Sequence, residues 1–321
     1  MIEYILFVIG IFLLIKGADY LVDGSSSLAK RLRVPTLVIG LTVVAFGTSM
    51  PELVVNIIAA IKGSGDIAFG NIIGSNIANL LLILGITAAI SSVKIHHSTT
   101  WREIPFSLLA AVIIFIFANN ALPDGLNANY ITRPEGIILL LLLSAFLYYI
   151  FKLSKKNKTR FVDKNLKIKD LSTGKIVLYI MVGLIFLYVG GKWAVDGIVS
   201  LARLFGMSEY FISLTIIAIG TSLPELITSI VAAMKKDVDL AVGNIIGSNI
   251  FNILWVLGLN SLINPIAVPA LAIIDLYVLL GATLLLFLFM FIGRKHELER
   301  WQGIIFILLY ISYIVYAILR G

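Results

Sequence analysis

The feature that most constrains this chain is a repeat within its own sequence. Segment 47–85 reads GTSMPELVVNIIAAIKGSGDIAFGNIIGSNIANLLLILG, and segment 220–258 reads GTSLPELITSIVAAMKKDVDLAVGNIIGSNIFNILWVLG. At a constant offset of 173 residues, with no gap, 24 of the 39 positions are identical. The chain is therefore predicted to contain two structurally equivalent halves.

Both halves are predicted to cross a membrane. Hydrophobic residues make up 60% of the chain and charged residues 13%, whereas about 25% charged is usual for a soluble domain. Most of the apolar segments are long enough to cross a hydrocarbon core of about 30 Å as helices. We predict an all-α polytopic membrane protein with ten transmembrane helices, at roughly 2–28, 36–61, 66–91, 103–119, 131–153, 175–203, 209–234, 238–263, 270–292 and 302–319.

Five spans fall in each half, and because five is odd the second half enters the membrane from the opposite side. We therefore predict two inverted five-helix repeats, at 1–153 and 175–321, joined by a basic loop at 154–174. The repeat cores are 36–91 and 209–263, and the helices in spans 2, 3, 7 and 8 are predicted to be broken. Inverted repeats are typical of secondary transporters, which bind their substrate near the midplane of the membrane.

The distribution of lysine and arginine predicts the orientation. With the N-terminus outside, the inside connections carry 19 of these residues and the outside connections carry 4. Cytoplasmic loops of membrane proteins are enriched in positive charge. Both termini are therefore predicted to be extracellular, in a cell-membrane protein whose loop 152–175 is cytoplasmic. We interpret that loop as a positive-inside anchor in preference to a lipid-reading or regulatory element.

Several classes of function are disfavoured. The net charge is +7, but the basic residues lie in short loops between apolar runs, so nucleic-acid binding is not expected. The absence of cysteine excludes disulfides and thiolate metal sites. The histidines, His96, His97 and His296, lie in polar connections, so no zinc or haem site is expected within the membrane. Without H-E-x-x-H or G-x-S-x-G motifs, neither catalytic residues nor a cofactor is predicted.

Two carboxylates, Glu52 and Glu225, lie inside apolar spans. An ionisable side chain at such a position costs about 2.5–3.5 kcal/mol on insertion scales and is a functional candidate by default. The alternative is a structural carboxylate paired with a buried cation, for which Lys16 and Lys192 are the available partners. Because the carboxylate recurs at the same place in both halves, the functional interpretation is favoured.

A proline precedes each of these carboxylates. Pro51 has no N–H, so the carbonyl of Gly47 is predicted to lose its helical donor, and Pro224 acts in the same way in the second repeat. Thr48 and Glu52 are four residues apart and share a helix face. Each break thus offers carbonyl, hydroxyl and carboxylate oxygens, which are hard ligands suited to calcium or sodium.

The GNIIGSN stretches that begin at Gly70 and Gly243 contain a G-x-x-x-G pattern, which favours close helix packing. This packing is predicted to bring Ser75 and Asn79 against the first break, and Ser248 and Asn252 against the second. The remaining asparagines of the two stretches are interpreted as structural caps or interhelical hydrogen bonds; they are Asn71, Asn76, Asn244 and Asn249.

The two carboxylates also suggest how binding would couple to movement. Together they carry a charge of −2 when both are ionised, which one calcium ion or several sodium ions can neutralise. A buried uncompensated charge resists movement past apolar gates, whereas a filled site moves more easily. Two kinds of ion that compete for one set of ligands would therefore be exchanged.

The paired GTSMPE and GTSLPE motifs at 47–52 and 220–225, with the two GNIIGSN stretches, resemble the α-repeats of the cation/calcium exchanger superfamily. Over its whole length the chain resembles a prokaryotic sodium/calcium exchanger. The resemblance implies electrogenic antiport of about three sodium ions for one calcium ion by alternating access. Calcium, sodium and the lipid bilayer are the expected partners, and we expect a monomer because ten spans can enclose a site.

The resemblance also implies a set of ligands. Calcium would be bound by Glu52 and Glu225 with the backbone oxygens of Thr48 and Thr221. The sodium sites would share these carboxylates and add the carbonyls of Ala45 and Ala218 and the hydroxyls of Ser49, Ser222, Ser75 and Ser248. Asn79 and Asn252 would bound a central site. The first and sixth spans would slide across the other eight, with sliding contacts at Gly17, Gly24, Gly190 and Gly197.

The sequence is also compatible with two other functions. A proton/calcium antiporter of the same superfamily would bind protons at the carboxylates, although the many hydroxyl groups favour sodium. A cation channel would show high flux with weak ion coupling. The position of Asn252 is often Asp in archaeal and potassium-dependent members, so the asparagine lowers the expectation of potassium co-transport.

Overall fold

The structure, a computed structural model, describes residues 2–63, 65–119, 129–156, 168–205, 218–269 and 271–320. Within these ranges eight helices are long and apolar enough to cross a membrane, and one bent pair meets the same test together. Much of the predicted seventh span, 209–217, lies outside the described residues.

The described α-helices are Ile2–Leu32, Thr36–Ile39, Ala45–Thr48, Met50–Ile61, Gly65–Ile77, Leu84–Ile90, His97–Trp101, Glu103–Phe117, Arg133–Lys156, Thr173–Leu204, Ala218–Thr221, Leu223–Met234, Val238–Phe251, Gly258–Ile263, Ala272–Phe289 and Arg300–Leu319. Three π-helical turns continue these helices without a gap: Gly40–Val44, Ala78–Ile83 and Asn252–Leu257. Such turns are rare and are often found at functional sites. The short helix His97–Trp101 precedes Glu103–Phe117, so the predicted short span begins earlier and covers 21 residues.

The chain bends at the serine before each Pro-Glu pair. Segments Thr36–Thr48 and Met50–Ile61 meet at 43°. Ser49 lies at the junction with φ −81° and ψ 4°, and Ser222 has φ −89° and ψ 6° before Leu223–Met234. Pro51 cannot supply the helical donor of the Gly47 carbonyl, but this carbonyl is not left free, because it accepts another backbone N–H at the end of its turn. A helix that tightens in its last turn can satisfy such a carbonyl from a nearer residue.

The two longest helices pack directly on each other through glycine. A Cβ atom built on Gly17 would lie 2.9 Å from the carbonyl oxygen of Gly183, so the two backbones are in contact, as small residues allow at membrane helix interfaces. Further close approaches join Gly10 to Gly190 and Gly24 to Ile180. Residue numbers rise along Ile2–Leu32 as they fall along Thr173–Leu204, so the helices are antiparallel.

Each half of the chain packs against the other through equivalent residues. A Cβ atom on Gly85 would lie 3.0 Å from the carbonyl oxygen of Gly303, and one on Gly136 would lie 2.9 Å from that of Gly258. Gly85 and Gly258 are related by the 173-residue offset. Two short antiparallel strand pairs also join the halves: Val93–Lys94 with Glu297–Leu298, and Tyr130–Ile131 with Ile266–Ala267.

The asparagine-bearing helices lie at the centre of the molecule. In an apolar stretch of 18 residues, 94% of the residues are buried in Val238–Ile263 and 78% in Ala68–Ile90, whereas the share is 28–39% in the other long described helices. The outer helices expose many large apolar side chains, which suits contact with lipid. The sites carried by the two central helices are therefore shielded from the bilayer.

Candidate cation site

Both intramembrane carboxylates are buried near the start of a helix. Glu52 is 1% exposed and lies in the first turn of Met50–Ile61; Glu225 is 0% exposed and lies in the first turn of Leu223–Met234. The partial positive charge at a helix N-terminus favours a carboxylate there. Lys16 and Lys192 have exposed side chains, and within the described residues neither forms an ion pair with Glu52 or Glu225. The described contacts thus give no support to a structural ion pair.

The serine at each break contacts the carboxylate of the other repeat. Ser49 Oγ donates a hydrogen bond to Glu225 Oε1 at 3.3 Å. Ser222 Oγ donates to Glu52 Oε1 at 3.4 Å. The two breaks therefore face each other and form one site between the repeats.

Four buried oxygen atoms at this site have no hydrogen-bond partner among the described residues. They are Oε2 of Glu52 and of Glu225, and Oδ1 of Asn79 and of Asn252. Each pair is related by the 173-residue offset. Carboxylate and amide oxygens only accept hydrogen bonds, and an unpaired buried charge costs on the order of several kcal/mol. A cation that binds these oxygens would supply the missing partner, so this set of oxygen ligands fits calcium or sodium.

Neighbouring amides fix which way the two central asparagines point. Asn79 Nδ2 donates to Asn249 Oδ1 at 3.0 Å, and Asn252 Nδ2 donates to Asn76 Oδ1 at 3.1 Å. Asn76 and Asn249 in turn each donate to the backbone carbonyl of the other at 3.3 Å. Since the amide nitrogens are held in this way, the Oδ1 atoms of Asn79 and Asn252 are the groups left unpaired.

The serine and threonine hydroxyls pair across the repeats. Thr48 Oγ1 lies 3.4 Å from Ser248 Oγ, and Thr221 Oγ1 lies 3.4 Å from Ser75 Oγ. The prediction that Ser75 lies against the first break and Ser248 against the second is wrong for these threonine contacts. Ser248 also donates to Glu225 Oε1 at 3.5 Å, so it touches both breaks.

Helix packing explains this exchange of partners. A Cβ atom on Gly243 would lie 3.0 Å from Gly40 Cα, and one on Gly247 would lie 2.7 Å from Ala45 Cβ. The G-x-x-x-G pattern of the second repeat thus packs against the helix that precedes the first break. A Cβ atom added to the equivalent Gly70 or Gly74 would meet no described atom within 4 Å.

The asparagines Asn71 and Asn244 accept hydrogen bonds from the threonine hydroxyls of the site. Thr48 Oγ1 donates to Asn244 Oδ1 at 3.0 Å, and Thr221 Oγ1 donates to Asn71 Oδ1 at 3.2 Å. Asn244 Nδ2 also donates to Ser229 Oγ at 3.0 Å. These contacts suit the structural role that the sequence suggested.

The backbone oxygens named by the resemblance lie at helix ends. Thr48 and Thr221 are the last residues of Ala45–Thr48 and Ala218–Thr221, where carbonyls carry partial negative charge that attracts a cation. The Ala45 carbonyl accepts the Ser49 N–H at 3.0 Å, and Thr48 Oγ1 lies 3.5 Å from the same oxygen. Ala218 begins the short helix of the second repeat.

A cavity of about 290 Å³ lies beside this site. It lies between helix Met50–Ile61 and helix Thr173–Leu204, and it reaches Thr221. Lys192 and Asp196 line it. Neither residue entered the predicted site, and the only sequence signal for Asp196 was its equivalence to Asp23 in the repeat.

Comparison with known proteins adds to this geometry. The model of the family described as "Sodium/calcium exchanger protein" matches residues 2–152 and 175–319. The inner membrane protein YrbG of Escherichia coli (strain K12) is 40% identical over 273 residues, which cover 83% of this chain and 82% of that protein. The sodium/calcium exchanger MaX1 of Methanosarcina acetivorans is 31% identical over 344 residues, covering 98% of each chain.

A solved structure is similar over nearly the whole chain. The sodium-calcium exchanger NCX_Mj, in a crystal soaked with 2.5 mM Na⁺ and 0.1 mM Ca²⁺, aligns with a TM-score of 0.81 at 32% identity. The alignment covers 98% of this chain and 98% of that one.

Proposed function

The chain belongs to the sodium/calcium exchanger family, and on that premise we propose that it is an electrogenic sodium/calcium antiporter. It exchanges about three sodium ions for one calcium ion at the site between Glu52 and Glu225. The observation that carries this proposal is a set of four buried oxygen atoms that meet no hydrogen-bond donor among the described residues, two from these carboxylates and two from Asn79 and Asn252.

The donor set suits calcium in both charge and chemistry. Calcium prefers six to eight oxygen ligands at about 2.3–2.6 Å, including carboxylate and backbone carbonyl oxygens. Glu52 and Glu225 supply a charge of −2 when ionised, and the carbonyls of Thr48 and Thr221 complete the calcium ligands. Sodium ions use the same carboxylates with the hydroxyls of the four site serines and the carbonyls of Ala45 and Ala218.

Exchange follows from the cost of moving an empty site. Two ionised carboxylates without a cation resist transfer past apolar gates, because each uncompensated buried charge costs on the order of several kcal/mol. A site filled by calcium or by sodium ions lacks that barrier. The protein therefore changes its accessible side mainly when one of the two ions is bound, which couples their movements.

Alternating access takes place between two inverted five-helix repeats in a ten-helix protein. Antiparallel packing of Ile2–Leu32 on Thr173–Leu204 supports the inversion, since these helices occupy equivalent places in the two repeats. The strand pairs support it as well, because each pair joins connections predicted for the same side. In this proposal the protein is a monomer in the cell membrane, and both of its termini are outside.

Calcium uptake into proteoliposomes tests the proposal. Purified protein is reconstituted into sodium-loaded vesicles, which are diluted into sodium-free buffer containing radioactive calcium, with potassium and pH equal on both sides. We expect uptake that requires the sodium gradient and shifts with an imposed membrane potential. Uptake that ignores sodium but follows a pH step would assign the protein to proton/calcium antiport instead.

A further inference from the structure

The two ends of the candidate site differ in whether their charged side chains form ion pairs. The inner end is defined here as the end that carries Lys169, and the outer end as the opposite one. Equivalent charged residues stand at both ends because the repeat offset of 173 residues relates them. At the inner end they are joined by ion pairs, whereas at the outer end Asp196 and Lys192 line the cavity beside Thr221.

At the inner end, Lys235 joins two helices. It follows directly after helix Leu223–Met234, which carries Glu225. Its Nζ lies 2.9 Å from Asp19 Oδ1 and 2.8 Å from Asp23 Oδ1, both on helix Ile2–Leu32. Lys169 Nζ lies 2.7 Å from the other oxygen of Asp23. The inner end of the Glu225 helix is therefore tied to the first long helix by a balanced cluster of two carboxylates and two ammonium groups.

A second tie lies beside this cluster. The buried carboxylate of Asp237 accepts hydrogen bonds from Ser26 Oγ and Thr36 Oγ1, both at 2.7 Å. Asp237 thus joins the same connection to the first long helix and to the helix that begins at Thr36. With two ties, the described structure is closed at its inner end.

At the outer end the equivalent residues stay apart. Lys62, equivalent to Lys235, follows directly after helix Met50–Ile61, which carries Glu52. Asp196, equivalent to Asp23, lies on helix Thr173–Leu204. Both side chains are exposed, and within the described residues neither forms an ion pair. Between these two helices lies the cavity of about 290 Å³.

We propose that Lys235 with Asp19 and Asp23 forms an inner lock that holds the protein outward-facing, and that Lys62 with Asp196 forms the equivalent outer lock when the inner one opens. The inference rests on the proposed alternating access. It names the contacts that open and close in that cycle.

The two locks are unequal in strength. The position of Asp19 is occupied by Lys192 at the outer end, so one carboxylate, Asp196, faces two ammonium groups. At the inner end two carboxylates share Lys235, and Lys169 compensates the remaining charge. Like charges placed side by side oppose closure. The outer lock is therefore the weaker one, and we expect the protein at rest to favour the state in which the inner lock is closed, as it is in this structure.

The test uses a cysteine introduced at Thr228, because the chain has no cysteine of its own. Thr228 is 0% exposed on the Glu225 helix, and it is the repeat equivalent of Val55, which lines the outer cavity. A thiol reacts as the thiolate, which forms when water reaches it. The rate at which N-ethylmaleimide labels Thr228→Cys in nanodiscs thus reports how often the inner end opens.

We expect Lys235→Gln to raise this labelling rate by about threefold or more, because the closed state loses the stabilisation that a partly exposed ion pair provides. Lys235→Arg should label at the parent rate because it keeps the charge. Lys236→Gln, at the neighbouring lysine that forms no ion pair among the described residues, is the matched control and should also label at the parent rate. Asp196→Asn should lower the rate, because the inward-facing state loses its outer lock.

If Lys235→Gln is poorly folded, its faster labelling would not be informative. Asp196→Asn still tests the proposal, because it is expected to label more slowly and unfolding would only make labelling faster. Equal rates for Lys235→Gln, Lys236→Gln and the parent would overturn the inner lock, and an unchanged or faster rate in Asp196→Asn would overturn the outer one. Labelling needs no transport, so the proteoliposome assay is a separate test. Absence of sodium-driven uptake by the parent protein would overturn the proposed function whatever the labelling shows.

Discussion

Ser49 donates a hydrogen bond to Glu225 across the interface between the two repeats, with 3.3 Å between Oγ and Oε1. The serine lies at the bend of the first repeat, and the carboxylate lies just after the bend of the second. Each bend therefore helps to position the carboxylate carried by the other. A change at either bend is expected to act on the whole site.

Replacing either carboxylate should end calcium transport. In Glu52→Gln or Glu225→Gln the site keeps its size but loses one of two negative charges, so a divalent ion is left uncompensated by one charge. We expect sodium-driven calcium uptake to fall to the level of protein-free vesicles. Asp170→Asn is the matched control, since Asp170 has a side chain that is 92% exposed, and it should transport at the parent rate. Uptake retained in either glutamine variant would contradict the shared two-carboxylate site.

Asn252→Asp should change which cations the site accepts. The substitution places a third carboxylate where an unpaired Oδ1 now lies, and it removes the donor that Asn252 provides to Asn76 Oδ1 at 3.1 Å. A buried acceptor that loses its partner costs about 1–3 kcal/mol. We expect a lower melting temperature in ion-free buffer, partly restored by calcium, and an altered dependence of exchange on potassium and pH. If neither dependence moves, this position does not tune selectivity.

A methyl group between the two long helices should destabilise the protein. The Cβ atom of Gly17→Ala would lie 2.8 Å from the backbone nitrogen of Leu187, closer than packing allows. Overpacking of this kind costs about 1–3 kcal/mol, so thermal unfolding should occur at a lower temperature. Exchange should also slow if these helices slide on each other.

Gly281→Ala is the control for that measurement. Gly281 lies within helix Ala272–Phe289, and an added Cβ meets no described atom within 4 Å. Alanine is the better helix former by about 1 kcal/mol, so this variant should melt at the parent temperature or above it. Equal melting of both variants would mean that the glycine contact tolerates a methyl group.

The pairing of His96 with Asp239 predicts a pH dependence outside the membrane-spanning helices. His96 Nε2 lies 2.8 Å from Asp239 Oδ2, and this hydrogen bond raises the pKa of the imidazole above its ordinary value. A raised histidine pKa stabilises the folded protein fully below the pKa of the unfolded chain. That contribution is lost as the pH rises through the folded-state pKa.

Histidine-selective NMR labelling can measure this pKa, because the chain has three histidines. Asp239→Asn should lower the His96 pKa towards its ordinary value and reduce the thermal stability gained on acidification. His97, which lies against the ring of His296, supplies an internal reference. An unchanged His96 pKa in Asp239→Asn would mean that another group sets it.

The sequence determined the features that repeat along the chain. The offset of 173 residues picked out Glu52 and Glu225, the serines beside them and the asparagines of the GNIIGSN stretches. An ionisable group in an apolar span is energetically costly, and its presence at equivalent positions of both repeats indicates a functional role. The apolar runs likewise predicted helices, since backbone groups within lipid must satisfy one another.

The tertiary structure decided which copy of each residue meets which partner. Ser248 contacts Thr48 because Gly243 and Gly247 pack against the helix before the first bend, and Ser75 contacts Thr221. It also decided that Lys235 meets Asp19 and Asp23 while Lys62 and Asp196 remain apart. Sequence spacing reports neighbours along one helix. Two equivalent halves share that spacing, so only their packing in space can distinguish the closed end from the open one.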